Sequence, residues 1–234
     1  MLHAQTYQFK LFNNKDGLSN NAINAIEKDA HGFLWIATNN GLNRFDGSAF
    51  DVFLNDPSNS ATIGSNYVQS LYVSSNNKLW AGTESGISSY NEKLQQFKNY
   101  APDTLVMPKI GQSFTCINED ENGNIWFGGE YDLLIFNPTT KKIKSSGWAN
   151  FASHTKPTNG NNSRVVVLSI SAKNKKEFWI LTTYGLYSVN ISTQKFIFYP
   201  CTYINDFYGS KISYTDENKN CWISTYNNGM LVFN

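Results

Sequence analysis

Five tryptophans, Trp35, Trp80, Trp126, Trp179 and Trp222, recur at intervals of 45, 46, 53 and 43 residues. No other feature limits the fold so tightly. The first sits in Asp29–Gly47, which reads as turn, strand, turn, strand, turn. Asp29 to Gly32 is a polar turn, Phe33 to Thr38 is rich in aromatic and β-branched residues, and Asn39-Asn40-Gly41 suits a hairpin because Asn and Gly tolerate positive φ. Leu42 to Phe45 is a second strand, closed by Asp46-Gly47. Two such strands cannot bury a face alone, so the unit has to be repeated.

The other copies are Lys78–Ile87, Asp120–Leu133, Glu177–Leu186 and Asn220–Leu231. Each is preceded by a strand of small and β-branched residues, at 22–27, 68–73, 114–118, 165–170 and 211–214. Four are followed by an outer strand around an aromatic, at 50–53, 97–100, 143–148 (degenerate) and 196–199. Four strands per 40–50 residues is the period of a β-propeller blade. The expected fold is all-β, a propeller of five four-stranded blades near 20–54, 65–100, 112–148, 163–200 and 208–234, with the tryptophan strand second from the centre. The fifth copy lacks an outer strand, and Tyr7–Phe12 has the outer-strand pattern. That strand would complete the last blade and close a five-bladed ring. The alternative is that the chain is part of a longer propeller.

With 19 Lys+Arg against 18 Asp+Glu, the formal charge of +1 gives no reason to expect a nucleic-acid partner. Cys116, Cys201 and Cys221 form neither a disulfide framework nor a zinc pattern and read as small buried residues, with a Cys201–Cys221 bridge as the alternative. No run is long and apolar enough for a membrane helix. Residues 1–6 read as a leader, since Leu2-His3-Ala4-Gln5 looks like the end of a secretory signal without its charged and apolar regions. No cofactor and no metal site is expected.

The pattern Asp-x-x-Gly-x-Leu-Trp-Ile-x-Thr-x-x-Gly-Leu-x-Arg-Phe-Asp-Gly, with the lead-in Lys15–Ile23, resembles the two-component regulator propeller repeat. The resemblance covers residues 7–234 and is strongest in copies one and two. Copy three lacks the threonine after Gly128-Gly129, copy four has Lys173-Asn174-Lys175-Lys176 in place of Asp-x-x-Gly, and copy five has Cys221 before its tryptophan. The resemblance implies the periplasmic sensor of a Bacteroidetes hybrid histidine kinase, often reading oligosaccharides and signalling through a membrane helix to a cytoplasmic kinase. This chain contains no kinase motif, so its partners would be an oligosaccharide ligand and the rest of a sensor kinase or a second copy.

The repeated Trp, Gly and Asp residues are explained by packing and turns, so function is expected in what differs between copies. In a propeller the hairpin between strands two and three shares a rim with the start of strand one. That rim would carry Tyr67, Glu84, Glu130, Tyr131, Arg164, Tyr184, Tyr208, Tyr226 and Asn227. Aromatic faces among amides suit a sugar, which presents C–H faces and hydroxyl edges. Two other readings compete. One is a protein-interaction or dimerisation propeller. The other is a glycan-active enzyme using Glu84 and Glu130, which needs two carboxylates about 5–10 Å apart. No Ser-His-Asp order or phosphate-cradling loop supports catalysis, and the expected answer is not an enzyme.

Overall fold

The structure, a computed structural model, describes residues 9–100, 113–130, 132–148, 151, 165–200, 210–226 and 228–234. The protein is all-β and propeller-like. The first blade is β1 (Ile23–Lys28), β2 (Leu34–Thr38), β3 (Gly41–Phe45) and β4 (Phe50–Phe53). The second is β5 (Val68–Val73), β6 (Leu79–Thr83), β7 (Gly86–Asn91) and β8 (Gln96–Tyr100). The third is β9 (Phe114–Glu119), β10 (Ile125–Gly129), β11 (Leu133–Asn137) and β12 (Lys142–Ser145). The fourth is β13 (Val167–Asn174), β14 (Glu177–Thr182), β15 (Gly185–Asn190) and β16 (Phe196–Tyr199). The fifth shows three strands, β17 (Lys211–Thr215), β18 (Cys221–Ser224) and β19 (Met230–Phe233). Every sheet is an antiparallel meander in chain order.

The inner strands pack in sequence, β1 on β5, β5 on β9, β9 on β13 and β13 on β17. Among the described residues no comparable packing joins β17 to β1, so the blades form an open arc. The strand expected over 7–12 is absent over its described part. Residues 9–12 pair with no sheet, and Phe9 and Leu11 are exposed. Phe12 instead packs on the first blade, 4.9 Å from Phe45 and 5.8 Å from Phe50 between ring centroids, because those two rings offer it a closer apolar surface.

Alternation along each strand sends the tryptophan to one face of its blade, and that face meets the next blade. Trp35 lies in one cluster with Leu71, Leu79 and Ala81 of blade two. Trp80 packs with Ile117, Ile125 and Phe127 of blade three, Trp126 with Ile170, Phe178 and Ile180 of blade four, and Trp179 with Cys221 and Ile223 of blade five. An aromatic ring burying roughly 200 Å² at about 25 cal/mol per Å² contributes on the order of 5 kcal/mol to each junction. The sixth tryptophan, Trp148, was expected in a degenerate outer strand. It lies beyond β12 and is buried against Tyr187 (4.9 Å) and Phe196 (5.3 Å) of blade four.

Adjacent inner strands are laced by side chains. All five inner strands slip register, with an extra-residue bulge between Ile23 and Ala25 in blade one, at the matching place in blades two to four, and two residues nearer the tryptophan, between Ile212 and Tyr214, in blade five. The bulge aims side chains at the neighbouring blade. Asn24 Nδ2 donates to Val68 O at 2.8 Å, and Thr115 Oγ1 donates to Val167 O. Ser70 Oγ, just past its bulge, donates to Phe114 O at 2.7 Å. Each bond satisfies a carbonyl at the slip, where the ladder cannot.

In three copies the turn before the tryptophan strand holds the indole. Asp29 Oδ2 accepts from Trp35 Nε1 at 2.8 Å, Asp120 Oδ2 from Trp126 Nε1 at 2.8 Å, and Asp216 Oδ2 from Trp222 Nε1 at 3.0 Å. The bond from Trp222 is the largest influence holding the Asp216 carboxyl below its ordinary range. Copies two and four have Ser74 and Lys173 six residues before the tryptophan, and there Trp80 Nε1 and Trp179 Nε1 are buried without an acceptor. In both a lysine lies over the ring instead, Lys78 Nζ at 5.0 Å and Lys173 Nζ at 4.4 Å from the centroid.

The fourth residue of these turns is left-handed, with φ of 93° at Gly32, 58° at Asn77, 75° at Gly123 and 71° at Lys219. A side chain there is strained. Lys219→Gly is therefore expected to stabilise the chain by about 0.5–1 kcal/mol, the strain relieved less the greater freedom of glycine when unfolded. The check is the urea midpoint at constant slope, and a lower midpoint than wild type would contradict it.

Candidate functional site

The hairpins joining strands two and three are built by a threonine. Thr38 Oγ1 donates to Gly41 O at 2.8 Å, Thr83 to Gly86 O at 2.9 Å, Thr182 to Gly185 O at 3.1 Å and Thr225 to Gly229 O at 2.7 Å. The same hydroxyls accept from the backbone N–H of Asn40, Ser85, Tyr184 and Asn228. The third copy has Gly129 instead, because a Cβ there would meet Ser113 O at 2.3 Å. The local chemistry is spent inside the hairpin, and the tip residues are free to vary.

The tips share a rim with the starts of the inner strands. Asn39 N–H donates to Ala22 O, Glu84 N–H to Tyr67 O at 3.2 Å, and Thr183 N–H to Val166 O. Gly41 N–H reaches Asn66 O at 2.6 Å, so Asn66-Tyr67 is tied to the hairpins of both its own blade and the preceding one. Tyr67 and Glu84 are thus brought together. Glu130 is half-buried at the end of β10. Tyr226 is exposed on the fifth hairpin, while Tyr184 is half-buried and packs against the core between blades three and four. The Tyr67, Glu84 and Tyr226 side chains make no hydrogen bond or ion pair among the described residues. Tyr131, Arg164, Tyr208 and Asn227 lie outside the described residues.

Among the described residues, clefts also open elsewhere, between blades at the rim of the tryptophan turns. One of about 300 Å³ between blades one and two is lined by Asp29, Arg44, Asn77, Tyr90, Glu92 and Lys93. Two of about 390 and 490 Å³ lie between blades three and four, the larger lined by Asn122, Asn124, Asn137, Thr140, Lys142 and Gln194. Their polar groups largely satisfy one another. Arg44 binds Asp51 Oδ2 at 2.7 Å and stacks on Phe33, Asp29 is held by Trp35, and Asn137 Nδ2 donates to Asn124 Oδ1 at 2.8 Å. The sequence points to this rim only through its recurring aspartates, and it shows nothing of the gaps between blades.

No group of three or more His, Cys, Asp or Glu among the described residues is placed to hold a metal ion. Burial pushes the Cys116 and Cys221 thiols up to about 12, so both are protonated at neutral pH. Both are free, as the reading of small packed residues anticipates, and Cys201 lies outside the described residues. No helix among the described residues is long and apolar enough to cross a membrane.

An arc of antiparallel blades, each with a tryptophan second from the centre and a hairpin rim that differs between copies, defines a β-propeller fold. Three segments of the chain, residues 17–40, 62–85 and 108–131, match the two-component regulator propeller model. Over 57 residues the chain is 44% identical to histidine kinase P4 of Formosa agariphila, a match covering 24% of this chain and 4% of that protein. In structure it is similar to the extracellular domain of BT3049 from B. thetaiotaomicron, assigned to a hybrid two component system, at a TM-score of 0.76 and 24% identity over 96% of this chain and 30% of that one. It is also similar to virginiamycin B lyase from Staphylococcus aureus, at a TM-score of 0.62 and 14% identity over 91% of this chain and 69% of that one. The chain thus spans about a third or less of the two signalling proteins it matches. The solved structures speak for the fold alone.

Proposed function

We propose that this chain is the ligand-sensing part of a two-component system, acting in the periplasm and recognising an oligosaccharide on its hairpin rim. Three observations support this reading. Three segments match the regulator propeller model, the best-matched stretch is shared with a histidine kinase, and a solved relative in fold is an extracellular domain. The observation that carries the choice of rim is that, among the described residues, the side chains of Tyr67 at the entry to β5 and of Glu84 and Tyr226 on the hairpins make no hydrogen bond or ion pair. Tyrosine offers a flat apolar face for sugar C–H groups, and a carboxylate accepts from hydroxyls. The chain binds without turnover, and the response belongs to the rest of the signalling protein.

The test is a glycan array followed by calorimetry on the best binder. Tyr67→Ala and Glu84→Gln should each weaken binding about tenfold, or 1.4 kcal/mol, with the melting temperature unchanged. Undiminished affinity in both variants would remove this rim from consideration. Cleavage of the bound glycan, lost in Glu84→Gln, would replace the sensing reading by an enzymatic one.

A further inference from the structure

The five tryptophan turns differ in the carboxylate beside the indole. In copies one, three and five the aspartate divides its work. Oδ1 accepts from the backbone N–H two residues before the tryptophan, that of Phe33 at 3.0 Å, Asn124 at 2.9 Å and Asn220 at 2.9 Å, and Oδ2 accepts from the indole. In copy two Ser74 Oγ takes the first task, accepting from Lys78 N–H at 3.2 Å. Serine has no second oxygen for the other. Copy four lacks the aspartate too, but it brings a carboxylate of its own, with Glu177 Oε2 3.4 Å from Lys173 Nζ, the ammonium over the Trp179 ring.

Copy two gathers positive charge instead. Lys78 Nζ lies over Trp80 at 5.0 Å, and Lys98 Nζ lies 5.5 Å over Tyr100, whose ring is 6.0 Å from that of Trp80. Lys141 comes from the turn between β11 and β12 of the next blade. Burial first, then Lys98 and Lys141, hold the Lys78 pKa below its ordinary range. Among the described residues none of the three lysines makes an ion pair. Glu119 reaches the same turn, but its oxygens are taken by Ser75, by the N–H at 2.6 Å and by Oγ at 2.9 Å. Trp80 is 2% exposed, and its Nε1 is a buried donor with no acceptor. Such a donor is costly to leave unpaired, and a half-buried ammonium favours a counter-charge.

We propose that the copy-two turn binds a monatomic anion, chloride, which accepts from Trp80 Nε1 as the aspartate Oδ2 does in copies one, three and five, with Lys78, Lys98 and Lys141 supplying the positive charge. The size follows from what serine leaves undone. One acceptor atom is missing, whereas a carboxylate or sulfate brings two or more oxygens to an enclosed aromatic site. Lys78 is partly exposed, so its flexible stem gives the ion a way in. This inference does not depend on the hairpin rim.

The experiment is thermal melting of the 234-residue chain in sodium gluconate and in sodium chloride at equal ionic strength. Ser74→Asp is the reference, since it supplies the missing oxygen from the chain and shares every general effect of salt. Chloride should raise the wild-type melting temperature more than that of Ser74→Asp, by about 3–6 °C at about ten times the dissociation constant, and the excess should grow with chloride as binding linkage requires. Lys78→Met keeps a stem over the ring without its ammonium. The position is partly exposed, so the fold is retained, and most of the excess should be lost. Crystals grown in bromide should give an anomalous peak within hydrogen-bond distance of Trp80 Nε1. Equal chloride responses in wild type and Ser74→Asp would overturn the proposal, because a neutral water then serves the indole. So would an excess that survives undiminished in Lys78→Met, which places the ion elsewhere.

Discussion

Asp120→Ala is expected to destabilise the chain by about 3–4 kcal/mol, read from urea unfolding, because several donors lose one acceptor at a buried site. The Asp120 carboxylate accepts from Asn122 N, Asn124 N, Asn124 Nδ2 and Trp126 Nε1, and the residue is almost fully buried. The indole bond is separable. In a Trp126→Phe background the ring stays apolar but the donor is gone, and the cost of Asp120→Ala should fall by about 1–3 kcal/mol. An unchanged cost would mean that the carboxylate matters only for its own turn. Ser74→Ala, at the matching place in copy two, should cost only about 1 kcal/mol, since Ser74 bonds within its turn and leaves Trp80 Nε1 without a partner.

Gly128→Ala should cost about 3 kcal/mol through overpacking. A Cβ on Gly128 would stand 2.4 Å from Val167 Cγ1, 2.8 Å from Val167 Cβ and 2.9 Å from Cys116 Sγ, all on inner strands of blades three and four. Val167→Ala in the same chain should recover part of the loss by removing the nearest methyl. Gly32→Ala provides the contrast. Nothing lies within 4 Å of its Cβ position, and only the φ of 93° opposes a side chain, so its cost should be about 1 kcal/mol and insensitive to neighbours. Equal losses at the two glycines, measured by thermal melting, would contradict this division between space and backbone.

The tryptophan period and the hairpin glycines made the blades legible, because each marks one requirement that every copy must meet. The strands came out within a few residues of the pattern, with β4, β5 and β16 as read. The bulges did not, since a one-residue slip changes which face a side chain takes without changing composition. The aspartate–indole bonds were legible only as turns, since a pair six apart across a turn follows neither the helix nor the strand period. Asp216 is the third member, hidden because its turn has Lys219 where glycine stands in copies one and three. Rim positions followed from the period, but side-chain direction did not, and Tyr184 turns toward the core while Tyr226 stays in solvent. The pattern of Tyr7–Phe12 spoke of an outer strand. Alternation carries no address, and the rings of Phe45 and Phe50 took Phe12 to the first blade.

The lacing of each inner strand to its neighbour's carbonyls has a thermodynamic corollary. Among the described residues the strand packing between blades runs between consecutive ones, so the arc behaves as a linear array in which stability is a sum of blade terms and nearest-neighbour terms. Local opening is therefore expected where the lacing is weakest, at the junction of blades four and five, where Leu168 of blade four stands at the bulge position that Asn24 and Thr115 use for donation.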